Sequence, residues 1–240
     1  MKKLVLLFAA LLVAGCGEKS SSEGSESTEE KATTPSVAPK SLSEADVERL
    51  LKEAVDFDSL EERKDIMYQV NELEPYSGWV KEMHDSGQVA GLGRFKDGKP
   101  DGLAMGWHEN GQKESESTYK DGKEDGLTTA WLENGNKSFE ATYRDGKIVD
   151  RLTEYYENGK KSYEVTVKGG KTASERFWYE SGQNKGYGSY KDGKAHGSWL
   201  GWHENGKMES EVIFKDGEEV SAKSWNSRGE EADTRKETQK

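Results

Sequence analysis

The string GWHENG occurs at residues 106–111 and again at 201–206, and it joins two residue types that bind metals and move protons. Histidine nitrogens and glutamate oxygens are common zinc ligands, and both side chains act as general acids and bases. His84, His108 and His203 each stand three residues before a glycine, and His196 stands alone. The first hypothesis is therefore a metal or acid–base site present in more than one copy.

The spacing of these residues argues against that hypothesis. Equivalent residues of neighbouring two-stranded repeats lie about 10 Å apart, whereas two nitrogens that share a zinc ion each lie about 2.0–2.1 Å from it. Glu109 and Glu204 directly follow their histidines, so in a strand they point to the opposite face. We therefore predict a structural role for the histidines, with no metal site and no cofactor.

Two pairs of glutamates could support hydrolysis instead. Glu114 and Glu116, like Glu209 and Glu211, are two residues apart, so a regular strand would place each pair on one face, about 6.6–7 Å apart. Glycosidases use such a separation. Glutamates recur in nearly every copy of the pattern, however, on a face that looks solvated and offers no apolar pocket to raise a pKa. With no nucleophile motif or phosphate-binding loop present, we predict that the chain is not an enzyme.

The elements that position these residues are set by two interleaved series of turn signals. Glycines that follow Asn or Ser recur about every 24 residues, and each is followed 11 residues later by a second glycine, usually in an Asp-Gly pair. Asn-Gly and Asp-Gly favour the positive φ angles of tight type I′ hairpin turns. The predicted turn glycines are Gly87, Gly111, Gly135, Gly159, Gly182 and Gly206, with Gly98, Gly122, Gly146, Gly170, Gly193 and Gly217 between them.

The segments between the turns have the pattern of half-buried strands. In one copy Lys137, Phe139, Ala141 and Tyr143 alternate with charged or polar residues, which predicts one apolar face and one solvated face. Two columns of aromatic or bulky residues are expected to form a ladder along one face, and this ladder either stabilises the sheet or stacks a ligand. The columns are Trp107, Trp131, Tyr155, Trp178, Trp202 and Trp225, and Phe95, Tyr119, Tyr143, Val167, Tyr190 and Phe214.

The consensus Y/F-K-D-G-K-x-x-G-x-x-x-x-W-x-E-N-G, which recurs from Tyr76 to Gly229, resembles the bacterial variant of the MORN repeat. The stretch PYSGWVKEMHDSGQV is also similar to proteins labelled YwqK-type antitoxins. The resemblance implies an all-β, elongated, single-layer antiparallel β-meander of hairpin repeats that acts as a scaffold or contact surface, in some members near membranes. This sequence departs from the pattern where Asp150, Ser174 and Ser221 replace a glycine, and where Gly169 replaces the usual Asp.

The first 40 residues indicate export and anchoring. Lys2 and Lys3 precede an apolar run that ends at Cys16, the single cysteine, which is typical of a secretory signal over residues 1–15. The string LVAGC resembles a bacterial lipobox, which implies cleavage before Cys16 and diacylation of its thiol. The alternative is an ordinary signal peptide that leaves Cys16 free. Residues 16–40 are rich in Ser and Glu and predict a disordered tether with a reach of about 25–30 Å.

The net charge limits the classes of partner that this chain is expected to bind. The formal net charge of −11 becomes −13 once Lys2 and Lys3 are removed, which argues against nucleic acid and against electrostatic binding to anionic lipid. The acyl chains on Cys16 are therefore expected to anchor the protein to the membrane. Gly17 favours the outer over the inner membrane in a cell that has both. The expected location is the bacterial cell envelope.

The remaining segments complete the predicted organisation. In residues 41–74, Ser43 and Asp46 form a capping box, and Val47, Leu50, Leu51 and Ala54 follow with helical spacing, so one short helix should pack on an end of the repeats. A strand is expected from the alternation of Ile66, Tyr68 and Val70. Residues 75–229 are the predicted repeat domain and residues 230–240 a disordered tail.

The expected function is a protein-binding or scaffolding module whose protein partner the sequence does not identify. One alternative is an antitoxin or immunity protein that neutralises a toxin. A second alternative is binding of a glycan or the cell wall through the aromatic columns.

Overall fold

The computed structural model describes residues 42–232, which form one α-helix and a series of short strands. Helix α1 spans Glu44–Glu53, and a 3-10 turn spans Phe57–Ser59. The strands are β1 (Val55–Asp56), β2 (Leu60–Arg63), β3 (Ile66–Gln69), β4 (Gly78–Met83), β5 (Val89–Lys96), β6 (Lys99–Trp107), β7 (Lys113–Lys120), β8 (Lys123–Glu124), β9 (Gly126–Trp131), β10 (Lys137–Arg144), β11 (Lys147–Tyr155), β12 (Lys161–Lys168), β13 (Lys171–Trp178), β14 (Asn184–Lys191), β15 (Lys194–Ala195), β16 (Gly197–Trp202), β17 (Met208–Lys215), β18 (Glu218–Trp225) and β19 (Glu231–Ala232).

All strands except β2 and β3 belong to one 17-stranded sheet. From β4 onward the strands pair antiparallel in chain order, except that the short strands β8 and β15 share a partner with the strand after each: β8 and β9 both pair with β7, and β15 and β16 both pair with β14. The sheet is therefore a single meander, which confirms the predicted fold class. Strand β1 adds to the first edge by pairing in parallel with β4, Val55 opposite Val80. Within residues 42–232 no helix is long and apolar enough to span a membrane.

The two series of turns have different geometries. All of the predicted turn glycines have positive φ, but at the Asp-Gly turns the aspartate does too, as at Asp97 (φ 49°) and Gly98 (φ 76°), which is a type I′ turn. At the Asn-Gly turns the glycine alone has positive φ, as at Gly111 (φ 80°), and the turn closes through a hydrogen bond from the Gly111 amide to the His108 carbonyl. These are three-residue loops with a bulge, so the expectation of type I′ geometry was wrong for this series.

The bulges next to the Asn-Gly turns change the predicted assignment of faces. The pairing register shifts between Lys137 and Phe139, and equivalent shifts occur in the other copies. Because the bulge adds one residue, Lys137 lies on the face opposite Phe139, Ala141 and Tyr143 rather than beside them.

The two aromatic columns consequently lie on opposite faces of the sheet, and the predicted ladder along one face was wrong. Tyr119 is the cross-strand partner of Gly102, so these two residues lie on the same face. Trp107 lies five residues after Gly102 in the same strand, and an odd spacing along a strand places a side chain on the opposite face. We call the side of the sheet that carries Trp107, Trp131, Tyr155, Trp178, Trp202 and Trp225 the tryptophan face. The side that carries Phe95, Tyr119, Tyr143, Val167, Tyr190 and Phe214 is the tyrosine face.

Each face is covered by another element at the N-terminal end of the sheet. Helix α1 packs on the tryptophan face, where Leu50 and Ala54 form a buried cluster with Leu92 and Met105. The Ser43 hydroxyl accepts a hydrogen bond from the Asp46 amide at 3.2 Å, as the predicted capping box requires. The helix therefore lies across a face of the first strands rather than at the end of the sheet.

The side chains of one row explain why α1 docks where it does. Successive cross-strand partners across the tryptophan face are Lys81, Leu92, Met105, Glu116, Thr129, Glu140, Thr153, Glu164, Arg176, Tyr187, Leu200, Glu211 and Lys223. The row is apolar only at Leu92 and Met105 until it reaches Tyr187 and Leu200 near its far end. Burial of the apolar side of α1 is therefore favourable on the first strands and not on the polar strands that follow.

The hairpin β2–β3 covers the start of the tyrosine face. Leu60 and Met67 pack there against Val80 and Phe95. The strand predicted from Ile66, Tyr68 and Val70 forms as β3, but Val70, 46% exposed, lies beyond its end, and the buried residue is Met67 at 8% exposure. The hairpin presents the alternate residues to the core.

The far edge of the sheet also differs from expectation. Glu231 and Ala232 form β19 and pair with Trp225 and Ser224, so the ordered sheet extends into the segment predicted as a tail. The signal sequence, Cys16 and the tether all lie outside the described residues, as do the last eight residues of the chain.

Candidate functional site

The histidine column holds neighbouring repeats together. The Nε2 atoms of His84, His108 and His203 lie 2.7, 2.8 and 2.8 Å from the backbone carbonyl oxygens of Trp107, Trp131 and Trp225, respectively. Each imidazole therefore donates to the repeat that follows it.

Tyrosine performs the same task in two of the copies without histidine, whereas Leu132, which occupies the column in another copy, has no side-chain donor. The hydroxyls of Tyr156 and Tyr179 donate to the carbonyl oxygens of Trp178 and Trp202 at 2.7 and 2.8 Å. Imidazole and phenol are interchangeable here because each supplies one donor. Within residues 42–232 no group of three or more His, Cys, Asp or Glu side chains is arranged to hold a metal ion.

The asparagine of each Asn-Gly turn forms a second set of inter-repeat hydrogen bonds. Asn110 donates from Nδ2 to the Glu133 carbonyl oxygen at 2.9 Å, and its Oδ1 atom accepts from the Gln112 amide at 2.9 Å. Asn134, Asn158 and Asn205 repeat both contacts in later copies. Sequence reasoning treated these residues as turn formers and missed their contact with the next turn, although their recurrence was visible.

The Asp-Gly turns are stacked in the same way. The Gly122 amide donates to the Pro100 carbonyl oxygen at 2.8 Å, and the Asp121 amide donates to the Asp101 carboxylate at 3.2 Å. His196 occupies the position equivalent to Asp101, and its Nδ1 atom accepts from the Asp216 amide at 3.3 Å. The fourth histidine is therefore also part of a column of turn contacts.

On the tryptophan face a lysine, a glutamate and an aromatic ring recur as a unit. Lys113 donates to Glu116 at 2.6 Å, and its Nζ atom lies 5.6 Å from the centroid of the Trp131 ring. Lys161, Glu164 and Trp178 form the same unit, with distances of 2.6 and 5.7 Å. Each ammonium group is held by a carboxylate beside the π face of a tryptophan from the next repeat, which stabilises the ring in place.

In the repeat between these two, Tyr155 replaces the tryptophan. Lys137 and the Tyr155 hydroxyl both donate to Glu140, at 2.6 and 2.5 Å. Burial raises the pKa of Glu140, but these two hydrogen bonds outweigh it and hold the pKa below its ordinary value.

The glutamate pairs do not share a face. Glu116 bonds Lys113 on the tryptophan face. The Glu114 carboxylate lies on the tyrosine face, where Oε2 is 3.5 Å from the position that a Cβ on Gly106 would occupy. Glu209 lies near Gly201 in the same way, 3.7 Å from the equivalent position. The bulge that shifts each pairing register separates the carboxylates, so the predicted spacing on one face was wrong.

The tyrosine face contains two groups of buried or half-buried tyrosines. Near its start, burial raises the pKa of Glu124, and burial together with Glu124 raises the pKa of Tyr143 to about 12. The Tyr143 hydroxyl is buried and has no hydrogen-bond partner among the described residues.

Further along the tyrosine face, Glu175 accepts from the hydroxyls of Tyr163 and Tyr190 at 2.8 and 2.7 Å. The rings of this region also contact one another. Tyr163 and Phe177 have centroids 4.9 Å apart, and Trp199 lies edge-on to Tyr190 at 5.2 Å. The rings in this part of the tyrosine face therefore pack directly against one another.

A comparison with family models finds the MORN repeat variant at residues 100–121, 151–168 and 195–216. No curated protein matches the chain. Among solved structures, a complex of a Staphylococcus aureus TarM variant with fondaparinux, α-GlcNAc-glycerol and UDP is 10% identical, with a TM-score of 0.26, over 56% of this chain and 24% of that one. Accessory secretory proteins 1, 2 and 3 of Streptococcus pneumoniae give 14% identity and a TM-score of 0.17, over 55% of this chain and 21% of that one.

This chain thus spans about a quarter or less of these two solved chains, at TM-scores too low to carry an argument. The family match is consistent with the geometry, because each matched segment contains an Asn-Gly turn with a strand on either side and ends at an Asp-Gly turn or just before its Gly-Gly equivalent. Three segments of the chain therefore match the MORN repeat variant, and repeats of this kind indicate a repeat-type binding or scaffolding module.

Proposed function

We propose that this chain is a lipid-anchored, non-enzymatic module of the bacterial cell envelope that presents its repeat sheet to a protein partner. The observation that carries the proposal is the use of the reactive residue types within the fold. His84, His108 and His203 bond the next repeat, and Asn110 and its equivalents bond the next turn. Side chains engaged in this way support a continuous surface rather than a reaction centre.

The arrangement of the carboxylates supports the non-enzymatic part of the proposal. Glu114 and Glu116 lie on opposite faces of a single-layer sheet, so they have no common substrate position. Glu175 is held by two tyrosine hydroxyls, which leaves it a hydrogen-bond acceptor with both oxygens engaged. General acid–base catalysis needs a carboxyl within hydrogen-bond reach of the substrate and free to exchange a proton.

Anchoring through Cys16 rests on the resemblance of LVAGC to a lipobox and on the polar tether that follows it. The antitoxin alternative rests on the family label alone and stays a prediction. Glycan stacking on the tryptophan column is less favourable than the sequence suggests, because Lys113 and Lys161 already lie beside the rings of Trp131 and Trp178. A sugar would have to displace a lysine that is paired with a glutamate.

The anchor is tested by metabolic labelling with a fatty-acid analogue. Wild type should be labelled and found with membranes, while the Cys16→Ser variant should be unlabelled. An unlabelled wild type would remove the anchor from the proposal.

Partner binding is tested by photo-crosslinking in the native cell. A photoreactive phenylalanine analogue is placed at Leu127, on the tryptophan face, or at Phe177, on the tyrosine face; the two side chains are 40% and 39% exposed. We expect one position to give a discrete adduct whose partner, identified by mass spectrometry, also co-purifies with wild type. Absence of any adduct from both faces, and from the exposed turns, would contradict a protein-binding role.

A further inference from the structure

One row of the tyrosine face breaks the repeat pattern. Its successive cross-strand partners are Glu82, Gly91, Gly106, Ser115, Ala130, Phe139, Glu154, Tyr163, Phe177, Gly186, Gly201, Ser210 and Ser224. From Gly91 to Ser224 every member is glycine, alanine or serine except for four consecutive residues in the middle. Small residues that recur at this position in most copies are explained by the packing of the fold. The four larger residues are not explained by that packing, so they need another explanation.

The small residues of this row are required by close packing. A Cβ on Gly106 would lie 2.7 Å from the Ser115 hydroxyl, and one on Gly201 would lie 2.6 Å from the Ser210 hydroxyl. The fold therefore favours small side chains here. Phe139, Glu154, Tyr163 and Phe177 are larger than the fold needs, and Phe177 leaves 39% of its surface exposed.

The neighbouring row extends this surface. Leu152, Glu175 and Trp199 stand where the other copies have Ala104, Thr128 and Ala222. Trp199 lies over Gly188, where an added Cβ would be 3.0 Å from the indole ring, and Phe177 lies against Gly186 at 3.3 Å from the equivalent position. These two rings cover the bare backbone of β14, and Phe177 also contacts Tyr163, with ring centroids 4.9 Å apart. We call the surface formed by Phe139, Leu152, Glu154, Tyr163, Phe177 and Trp199 the platform.

The charges of the platform all have one sign. Glu154 is exposed between Phe139 and Tyr163, and Glu175 lies one row away. The basic residues within these strands are on the other face: Lys161 bonds Glu164 there, and Arg151 and Arg176 are cross-strand neighbours of that row. Lys185 is the exception: it lies at the bulge of β14 in the position equivalent to Glu114, and its Nζ atom is 5.5 Å from the centroid of the Tyr179 ring. The platform therefore offers apolar rings and carboxylates, with one lysine at its margin.

From this arrangement we infer that the platform of Phe139, Leu152, Glu154, Tyr163, Phe177 and Trp199 is the docking surface for a protein segment that combines Lys or Arg with apolar side chains. The inference rests on the proposed function and specifies where the partner binds and what chemistry it presents. Aromatic rings with a nearby carboxylate bind a cationic side chain through its charge and its apolar stem, and interfaces are enriched in such anchors.

The test uses the full chain as bait for selection from a random library of displayed 12-residue peptides. Selection against wild type should enrich peptides that contain both Lys or Arg and aliphatic or aromatic residues. Phe177→Ala, which restores the small residue found elsewhere in the row, should weaken the selected peptides about tenfold, as expected for a contact residue near the centre of an interface. Leu127→Ala, equally exposed on the opposite face, is the matched control and should leave affinity unchanged.

A charge reversal tests the chemistry directly. Glu154→Lys should exclude the cationic peptides and enrich peptides that contain Asp or Glu. Enrichment of the same peptides by both proteins would overturn the inference, as would a loss of binding in Leu127→Ala. Binding of a cell-wall polysaccharide that Phe177→Ala abolishes and Glu154→Lys does not affect would assign the platform to glycans instead.

The two proposals fail in different ways. If photo-crosslinking in the cell gives an adduct from position 127 but not from position 177, this docking surface is refuted. The proposed protein-binding role would still be supported by the adduct at position 127. Melting temperatures of the variants, compared with wild type, separate loss of binding from loss of folding.

Discussion

Replacement of Tyr143 by phenylalanine should make the protein more stable. The Tyr143 side chain is 5% exposed, and its hydroxyl is buried without a hydrogen-bond partner in the part of the chain that the structure describes. Leaving a buried hydroxyl unpaired costs about 1–3 kcal/mol, whereas its removal leaves the ring and its packing in place. We therefore expect Tyr143→Phe to raise the free energy of unfolding by about 1–2 kcal/mol.

Tyr163→Phe is the matched control because it removes the same atom from the same face. The Tyr163 hydroxyl donates to Glu175 at 2.8 Å. Loss of a hydrogen bond to a carboxylate costs about 1.5–3 kcal/mol, and the half-exposed position puts this one near the lower end. The two substitutions should therefore shift stability in opposite directions.

The assay is urea denaturation followed by tryptophan fluorescence at constant pH. For a domain of this size a change of about 1 kcal/mol corresponds to roughly 2–4 °C in melting temperature, so calorimetry provides a second measure. If Tyr143→Phe were destabilising by about 1 kcal/mol or more, the hydroxyl would have a partner and the reasoning from its burial would be refuted.

Three further predictions concern other parts of the sheet. Glu124→Gln should remove part of the pH dependence of the unfolding free energy. Burial raises the pKa of Glu124, so the folded protein keeps this proton to a higher pH than the unfolded chain, and wild type should lose stability as pH rises from 4.5 through the raised pKa. A Glu124→Gln variant whose unfolding free energy has the same pH profile as wild type would contradict this. Gly111→Ala should lower the free energy of unfolding by about 1–2 kcal/mol because of its φ of 80° alone, since a Cβ there meets nothing within 4 Å. Thermal unfolding should show this decrease in stability, and an unchanged melting temperature would contradict the prediction. Leu92→Ala should lower the free energy of unfolding by about 2–5 kcal/mol, because it opens a cavity under α1. In this variant, circular dichroism should show that the helix unfolds at a lower temperature than the sheet. Unfolding of the helix and the sheet in one transition would mean that the helix is not a separate layer.

The period of the turn glycines was sufficient to predict the meander. Positive φ at Gly98 and Gly111 reverses the chain, and each intervening segment is long enough for one strand. The assignment of faces was not predictable from alternation, because the register shift beside each Asn-Gly turn inverts it. One extra residue is enough to place Lys137 opposite Phe139 and Glu114 opposite Glu116.

The contacts between repeats were also beyond simple pattern reading. The sequence shows that His108 and Tyr156 occupy one column, but it does not show that both reach a backbone carbonyl of the next repeat. Such a contact depends on the offset between stacked loops, which is a three-dimensional quantity. The bulky row of Phe139, Tyr163 and Phe177 was hidden for a similar reason, since its members alternate between outgoing and returning strands.

The central claim is that the recurring histidines are structural, and the His108 column tests it most directly. His108→Tyr should retain the hydrogen bond to the Trp131 carbonyl oxygen, as Tyr156 does for Trp178, and should keep the unfolding free energy within about 0.5 kcal/mol of wild type. His108→Leu removes the donor and should cost about 1 kcal/mol. A tyrosine variant that is as unstable as the leucine variant, or a stabilisation of wild type by zinc that His108→Tyr abolishes, would contradict the claim.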